Sequence, residues 1–214
     1  MWTKDWAADG LNKVGHSFGV KFGVAESNPF LQKALKDQTK VGNCFGYSMM
    51  WARHCRKSGR KPASKMELLA TRHAMLAAQA MQSWIVRQNK AGAFGPDGML
   101  GLPYNQAMAA AFSLTATEFK KQPFNPFAEH DWIEAVVNNN GVYVVTFKML
   151  AGGAHAIALL STGMENVFFD PNFGQYSAAC ATPWEVPEFT APLLTGLQKA
   201  YKDISCYFVS AIAS

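Results

Sequence analysis

From residue 44 the apolar positions fall into a helical rhythm. Cys44, Tyr47, Ser48, Trp51 and Cys55 stand at i, i+3, i+4, i+7 and i+11, which is one face of a helix. Asp37, Gln38, Thr39, Lys40 and Gly42 are loop formers ahead of it, and Ser58-Gly59 is a good stop behind it. Cys44 is therefore expected in the first turn of a helix that buries this face. A second helix is expected to open at Pro62-Ala63-Ser64 and to end near residue 89. Its apolar stripe runs through Met66, Leu69, Ala70, His73, Ala77, Ala80, Met81 and Trp84, with His73 as a core histidine. Ser27-Asn28-Pro29 reads as another helix start, and short helices are expected over 105–112 and 126–138. Gly10, Gly15, Gly19 and Gly23 break any long helix near the start, where 16–24 reads as a short strand.

The rhythm changes after Asn138-Asn139-Asn140-Gly141, a turn by composition. Val142-Tyr143-Val144-Val145-Thr146-Phe147 has strand composition, and strands are also expected over 154–160, 166–170 and 204–211. A helix over 192–202 is weakened by Gly196 and two prolines. Helices come first and strands later, so the expected class is α+β rather than alternating α/β. No internal repeat is visible.

Composition narrows the class. A chain of 214 residues with 49% hydrophobic content can bury a real core in one domain, with room for two lobes. Only 16% of residues are charged and no low-complexity tract interrupts them, which excludes global disorder. The first residues contain no apolar h-region, so no standard signal peptide is expected, and no apolar run is long enough for a bilayer. Cys44, Cys55, Cys180 and Cys206 have no CxxC spacing, and His54-Cys55 lacks a second ligand pair. Neither a zinc site nor any other metal or cofactor is expected, and the thiols read as reduced. Residues 1–121 hold 17 Lys/Arg and 7 Asp/Glu, a balance of +10; residues 122–214 hold 3 and 8, a balance of −5, which together give the net +5. Such a split is compatible with two lobes that attract across a cleft. Arg53, Arg56, Lys57, Arg60 and Lys61 cluster at the expected end of the first helix. They read either as cations suited to a helix C-terminus or as a docking patch for an acidic partner or membrane surface. No nucleic-acid partner is expected, because the aromatics are not interleaved with these charges.

The chemistry comes from two distant stretches. A thiol at a helix N-terminus gains from the exposed N–H groups there, which favour negative charge. Downstream, 154–160 and 166–170 flank Ser161-Thr162-Gly163-Met164, as in a hairpin. A turn centred on Thr162-Gly163 makes opposite residue numbers sum to 325, so Leu160 faces Glu165, Ile157 faces Phe168 and His155 faces Asp170. Opposite residues have Cβ atoms about 4.5–5.5 Å apart, which brings imidazole and carboxylate into hydrogen-bonding range. A nucleophilic thiol needs that pair. The imidazole takes the thiol proton and returns it to the leaving group, and the carboxylate fixes the tautomer. Pro171 holds Asp170 extended. The plainer alternative is a His–Asp pair that only ties two strands together.

Asn43-Cys44-Phe45-Gly46-Tyr47-Ser48-Met49-Met50-Trp51, Gly153-Ala154-His155-Ala156-Ile157-Ala158 and Phe169-Asp170-Pro171-Asn172-Phe173-Gly174 together resemble the YopT/AvrPphB-type cysteine proteases. These are papain-like effectors that bacterial pathogens deliver into host cells. The order Cys–His–Asp matches, as do separations of 111 and 15 residues. The resemblance implies a papain-like two-lobe fold, with a helical lobe over about 41–138 supplying Cys44 and an antiparallel sheet lobe over about 139–214 supplying His155 and Asp170. Residues 1–40 form a segment expected to pack on the core. Papain-like enzymes carry an amide donor shortly before the nucleophile, so Gln38 is the candidate oxyanion residue, ahead of Asn43, with the Cys44 N–H as second donor. The implied function is a cysteine endopeptidase acting on a protein or peptide. It would be made in the bacterial cytoplasm and delivered into a host or target cell, with a secretion chaperone or immunity protein as further partners. Deamidase, transglutaminase-like and cell-wall peptide hydrolase chemistry, or an inactive docking scaffold, are the alternatives that the same three residues leave open.

Overall fold

In the computed structural model the described residues are 3–7, 44–64, 72–123, 136, 138–150, 153–163, 165–179, 201 and 204–214. The elements, in chain order, are β1 (Thr3–Ala7), α1 (Cys44–Lys57), α2 (Arg72–Lys90), a 3-10 turn (Gly98–Leu100) and α3 (Leu102–Ala111). They continue with β2 (Thr115–Pro123), β3 (Gly141–Met149), β4 (Ala154–Ser161), β5 (Glu165–Asp170), β6 (Gly174–Ala179) and β7 (Ile204–Ala213). The strands form one antiparallel sheet in the order β1-β6-β5-β4-β3-β7-β2. Among the described residues, helices against an antiparallel sheet make the α+β class expected above, and the expected starts and ends of α1, β3, β4, β5 and β7 fall within a few residues of those observed.

The sheet is packed on both faces, to which its period-2 alternation sends successive side chains. Val142, Val144, Ala156, Ala158, Leu160, Val167 and Phe169 join the helices in one core. Tyr143, Val145, Phe147, Ile157, Leu159, Phe168, Val209 and Tyr201 form a second core on the opposite face. The central strands are consequently apolar on both sides. The small residues Ala156 and Ala158 let α1 lie close to the sheet, and the Ser48 hydroxyl donates to the Ala156 carbonyl at 3.0 Å. Trp51, fully buried, stacks on Phe169 with ring centroids 5.7 Å apart and donates its indole N–H to Gln175 Oε1 at 2.8 Å. Gln175 Nε2 in turn donates to Asp5, which also accepts from the Ser177 hydroxyl, so the edge strand β1 is tied into the centre of the fold.

The first two turns of α1 are buried on all sides, from Cys44 to Ala52. Gly46 is required there: a Cβ would stand 2.8 Å from the Ala78 carbonyl oxygen of α2. The Gly46 N–H, one of the unpaired donors of a helix N-terminus, is taken by Gln82 Oε1 of α2 at 2.8 Å. That bond corrects the expected stripe of α2. Trp84 is 47% exposed and Ala80 is exposed, while Ala78, Gln79, Gln82 and Ile85 are buried. The glutamine takes an inward position because it has a backbone donor to satisfy, and apolar periodicity alone does not register this. Residues 61–64, read as the opening of this helix, are not themselves helical, and 65–71 lie outside the described residues.

At the far end of α1, Arg60 and Gly59 adopt positive φ, and the Arg60 N–H closes the helix onto the Cys55 carbonyl at 2.7 Å. Lys57, Arg60 and Lys61 are exposed, whereas Arg53 and Arg56 are half-buried.

The β4–β5 hairpin corrects a second expectation. Ser161 pairs with Asn166, Leu160 with Val167 and Ala158 with Phe169, so opposite numbers sum to 327 rather than 325. The turn lies one position later because the Thr162 hydroxyl and N–H close onto Glu165. The displacement is even, so every side chain keeps its face. Strands β1, β2 and β6 carry no strand pattern that the sequence reveals. The expected helices over 126–138 and 192–202 and the strand over 16–24 lie largely or wholly outside the described residues.

Candidate active site

Cys44 is the first residue of α1, and His155 is the second residue of β4. His155 shares its sheet face with Ile157 and Leu159, and Asp170 shares that face with Phe168. The two are not cross-strand partners in the observed register, yet His155 Nε2 lies 3.0 Å from Asp170 Oδ1. Diagonal neighbours on one face remain within reach of side chains of this length. All three groups are nearly closed to solvent, at 6% for Cys44, 5% for His155 and 0% for Asp170.

The loop after Asp170 is shaped by its sequence. Pro171 has no N–H to offer, and the Asn172 N–H donates to Asp170 Oδ1 at 2.8 Å, an Asx turn. The Phe173 N–H donates to the Asp170 carbonyl at 3.1 Å, and Asp170 pairs with Gly174 to begin β6. Gly174 has φ 114, a conformation that favours glycine.

With Nε2 engaged by Asp170, Nδ1 is the nitrogen left for the thiol. Burial pushes the His155 imidazole toward its neutral form. The negative charge of Cys44, the hydrogen bonds from Asp170 and Cys44 and the Asp170 charge outweigh burial, and hold the imidazole pKa at about 10. A ring in this setting keeps its proton at neutral pH. Around it lie hydroxyls that do not compete. Burial, and then the negative charge of Cys44, push the Tyr104 hydroxyl far above its ordinary range, so it remains neutral. Burial likewise pushes the Cys55 thiol well above the usual range. Cys55 shares the α1 face of Cys44, and there burial outweighs the backbone hydrogen bond that favours its thiolate.

The structure thus brings together Cys44, His155 and Asp170. Gln38 and Asn43 lie outside the described residues. Sequence reasoning did not find Tyr201, whose hydroxyl stands 2.8 Å from His155 Nε2 and 2.8 Å from Asp170 Oδ2. No local pattern marks it: it is a single tyrosine just ahead of the last strand, and its partners are 31 and 46 residues away.

Helices packed on one side of an antiparallel sheet, with a helix-terminal cysteine meeting a sheet histidine, have the form of a papain-like cysteine protease. The sequence profile of the Yersinia/Haemophilus virulence surface antigen family, peptidase family C58, matches residues 20–204. The chain belongs to this family, and is a cysteine protease of the papain-like type. Among solved structures, the Pseudomonas avirulence protein AvrPphB is similar with a TM-score of 0.62, at 14% identity, over 80% of this chain and 92% of that one. A cysteine protease-like domain of the Photorhabdus asymbiotica toxin PaTox gives a TM-score of 0.36, at 11% identity, over 79% of this chain and 48% of that one. No curated protein sequence matches. No helix among the described residues is long and apolar enough to cross a membrane.

Proposed function

We propose that the chain is an endopeptidase in which Cys44 is the nucleophile, His155 the acid and base, and Asp170 the group that orients His155. The observation that carries this reading is geometric: Cys44 opens α1, and the buried His155 ring holds Asp170 Oδ1 at 3.0 Å on Nε2, which leaves Nδ1 for the thiol. The Cys44 thiolate forms a C–S bond with the peptide carbonyl carbon, and the carbonyl π pair moves onto oxygen. The Cys44 N–H at the start of α1, with Gln38 as the side-chain donor, stabilises that oxyanion. As the C–N bond breaks, the imidazolium gives its Nδ1 proton to the departing amine. Water then attacks the thioester, its proton passes to Nδ1, and the C–S bond breaks to release the acid and restore the thiol pair.

Membership of a peptidase family favours peptide hydrolysis over deamidation or acyl transfer. The family's description as a virulence antigen and the likeness to an avirulence protein support a bacterial effector delivered into a host or target cell. Its substrate is then a protein of that cell. Mapping new peptide N-termini in host lysate treated with wild type or with Cys44→Ala tests this. New termini that appear only with wild type are expected. Identical termini with Cys44→Ala, or a gain of about one dalton at glutamine in their place, overturn it.

A further inference from the structure

We propose that Tyr201 is a positioning residue for the reaction, holding the Asp170 carboxylate and the His155 ring in the arrangement that keeps Nδ1 turned to Cys44. The inference rests on the triad reading above and adds to it a fourth side chain from the end of the chain.

Tyr201 touches the pair in three ways. Its hydroxyl lies 2.8 Å from Asp170 Oδ2 and 3.0 Å from Oδ1, so the phenol O–H donates to the carboxylate. The same oxygen lies 2.8 Å from His155 Nε2 and accepts from Asn172 Nδ2 at 2.8 Å. Its ring stacks on the imidazole with centroids 4.4 Å apart and planes 25° from parallel. Each contact answers a different need. The donated O–H satisfies the carboxylate oxygen that the imidazole does not use, and a fully buried carboxylate oxygen without a donor is costly. The Asn172 amide fixes the phenol oxygen so that its single proton points at Asp170. The stacked ring, backed by Phe147 edge-on to both rings at 5.4 and 5.1 Å, blocks rotation of the imidazole about χ2.

Chemically, Tyr201 cannot act as a base. Burial and the Asp170 charge push its hydroxyl far above its ordinary range, so it carries its proton at any working pH. Its hydroxyl stands at Nε2, the ring nitrogen that also faces Asp170. Its effect reaches the reaction through His155 and Asp170 alone. Phe173, 43% exposed and edge-on to Tyr201 at 6.1 Å, covers it from the solvent side.

The test is Tyr201→Phe, which keeps the stack and removes the hydroxyl, with Tyr201→Leu removing both. Two readouts are taken on the intact chain. One is kcat and KM on a cleaved protein target. The other is the rate of Cys44 alkylation by iodoacetamide at neutral pH, divided by its rate at strongly alkaline pH. That ratio needs no substrate, corrects for folded fraction, and reports the thiolate–imidazolium population. Tyr201→Phe is expected to lower kcat about tenfold to a hundredfold with KM unchanged, the range for one hydrogen bond to a charged group. It is also expected to lower the alkylation ratio several-fold, with Tyr201→Leu lower still. Wild-type kcat and an unchanged ratio in Tyr201→Phe overturn the proposal, as does a fall in Tm alone. If wild type itself shows no enhanced neutral-pH alkylation and His155→Ala leaves the ratio unmoved, the triad reading fails first, and this one with it.

Discussion

His155 Nε2 and Asp170 Oδ1 stand 3.0 Å apart in a space that admits almost no solvent. A charged pair so enclosed depends on both members, because removing one leaves the other buried without compensation. Asp170→Asn keeps the shape but offers the wrong hydrogen-bonding group to Nε2–H. It is expected to cut kcat by about 10⁴, with the chain still folded. Asp170→Ala is expected to lose as much activity and also to lower Tm. Steady-state kinetics and thermal melts of the two variants check this.

The imidazole should titrate late, near pH 10, and only while Cys44 is present. In Cys44→Ala, burial is opposed by Asp170 alone, so the His155 pKa is expected to fall. Ring-nitrogen NMR titration of both proteins reads the difference. The folded pKa lies above the reference value of 6.5, so the stability that the imidazolium lends is present below that value and is lost as pH rises through about 10. The alkaline limb of kcat/KM is expected to follow the same titration.

Gly46 gives a packing prediction. A methyl group there meets the Ala78 carbonyl oxygen at 2.8 Å, and backbone does not move aside cheaply. Gly46→Ala is expected to cost about 1–3 kcal/mol and to displace the α1 terminus that carries Cys44. Activity per folded molecule should therefore fall together with Tm. Chemical denaturation alongside kinetics distinguishes this from a purely global loss.

Gln175 joins Trp51 to Asp5. Gln175→Leu leaves the buried indole N–H unpaired, for an expected loss of about 1–3 kcal/mol. It also removes one of the two side-chain anchors on Asp5 of β1, leaving only the Ser177 hydroxyl. Hydrogen exchange should rise in 3–7 before it rises in the central strands.

Much of the site was legible because strong local signals carried it. The helical spacing from Cys44 to Cys55 is sustained for three turns, and all five positions that define it are buried. His155 and Asp170 were paired through a hairpin whose register is displaced by two, and the pairing survived because an even displacement preserves the face. What escaped were positions governed by partners distant in sequence. Gln82 is buried because Gly46 lies across from it, and Tyr201 reaches the site from the far end of the chain. The edge strands escaped for another reason. β2 carries Lys120-Lys121-Gln122-Pro123 and a bulge after Glu118, features that protect an edge and hide its alternation.

Treatment with an epoxide thiol-protease inhibitor at neutral pH, followed by peptide mass mapping, tests the account most directly. The reading predicts one adduct, on Cys44 and not on Cys55, Cys180 or Cys206, and its disappearance in His155→Ala. An adduct spread over the other cysteines, or a Cys44 that stays unmodified in a preparation still able to cleave its target, contradicts it.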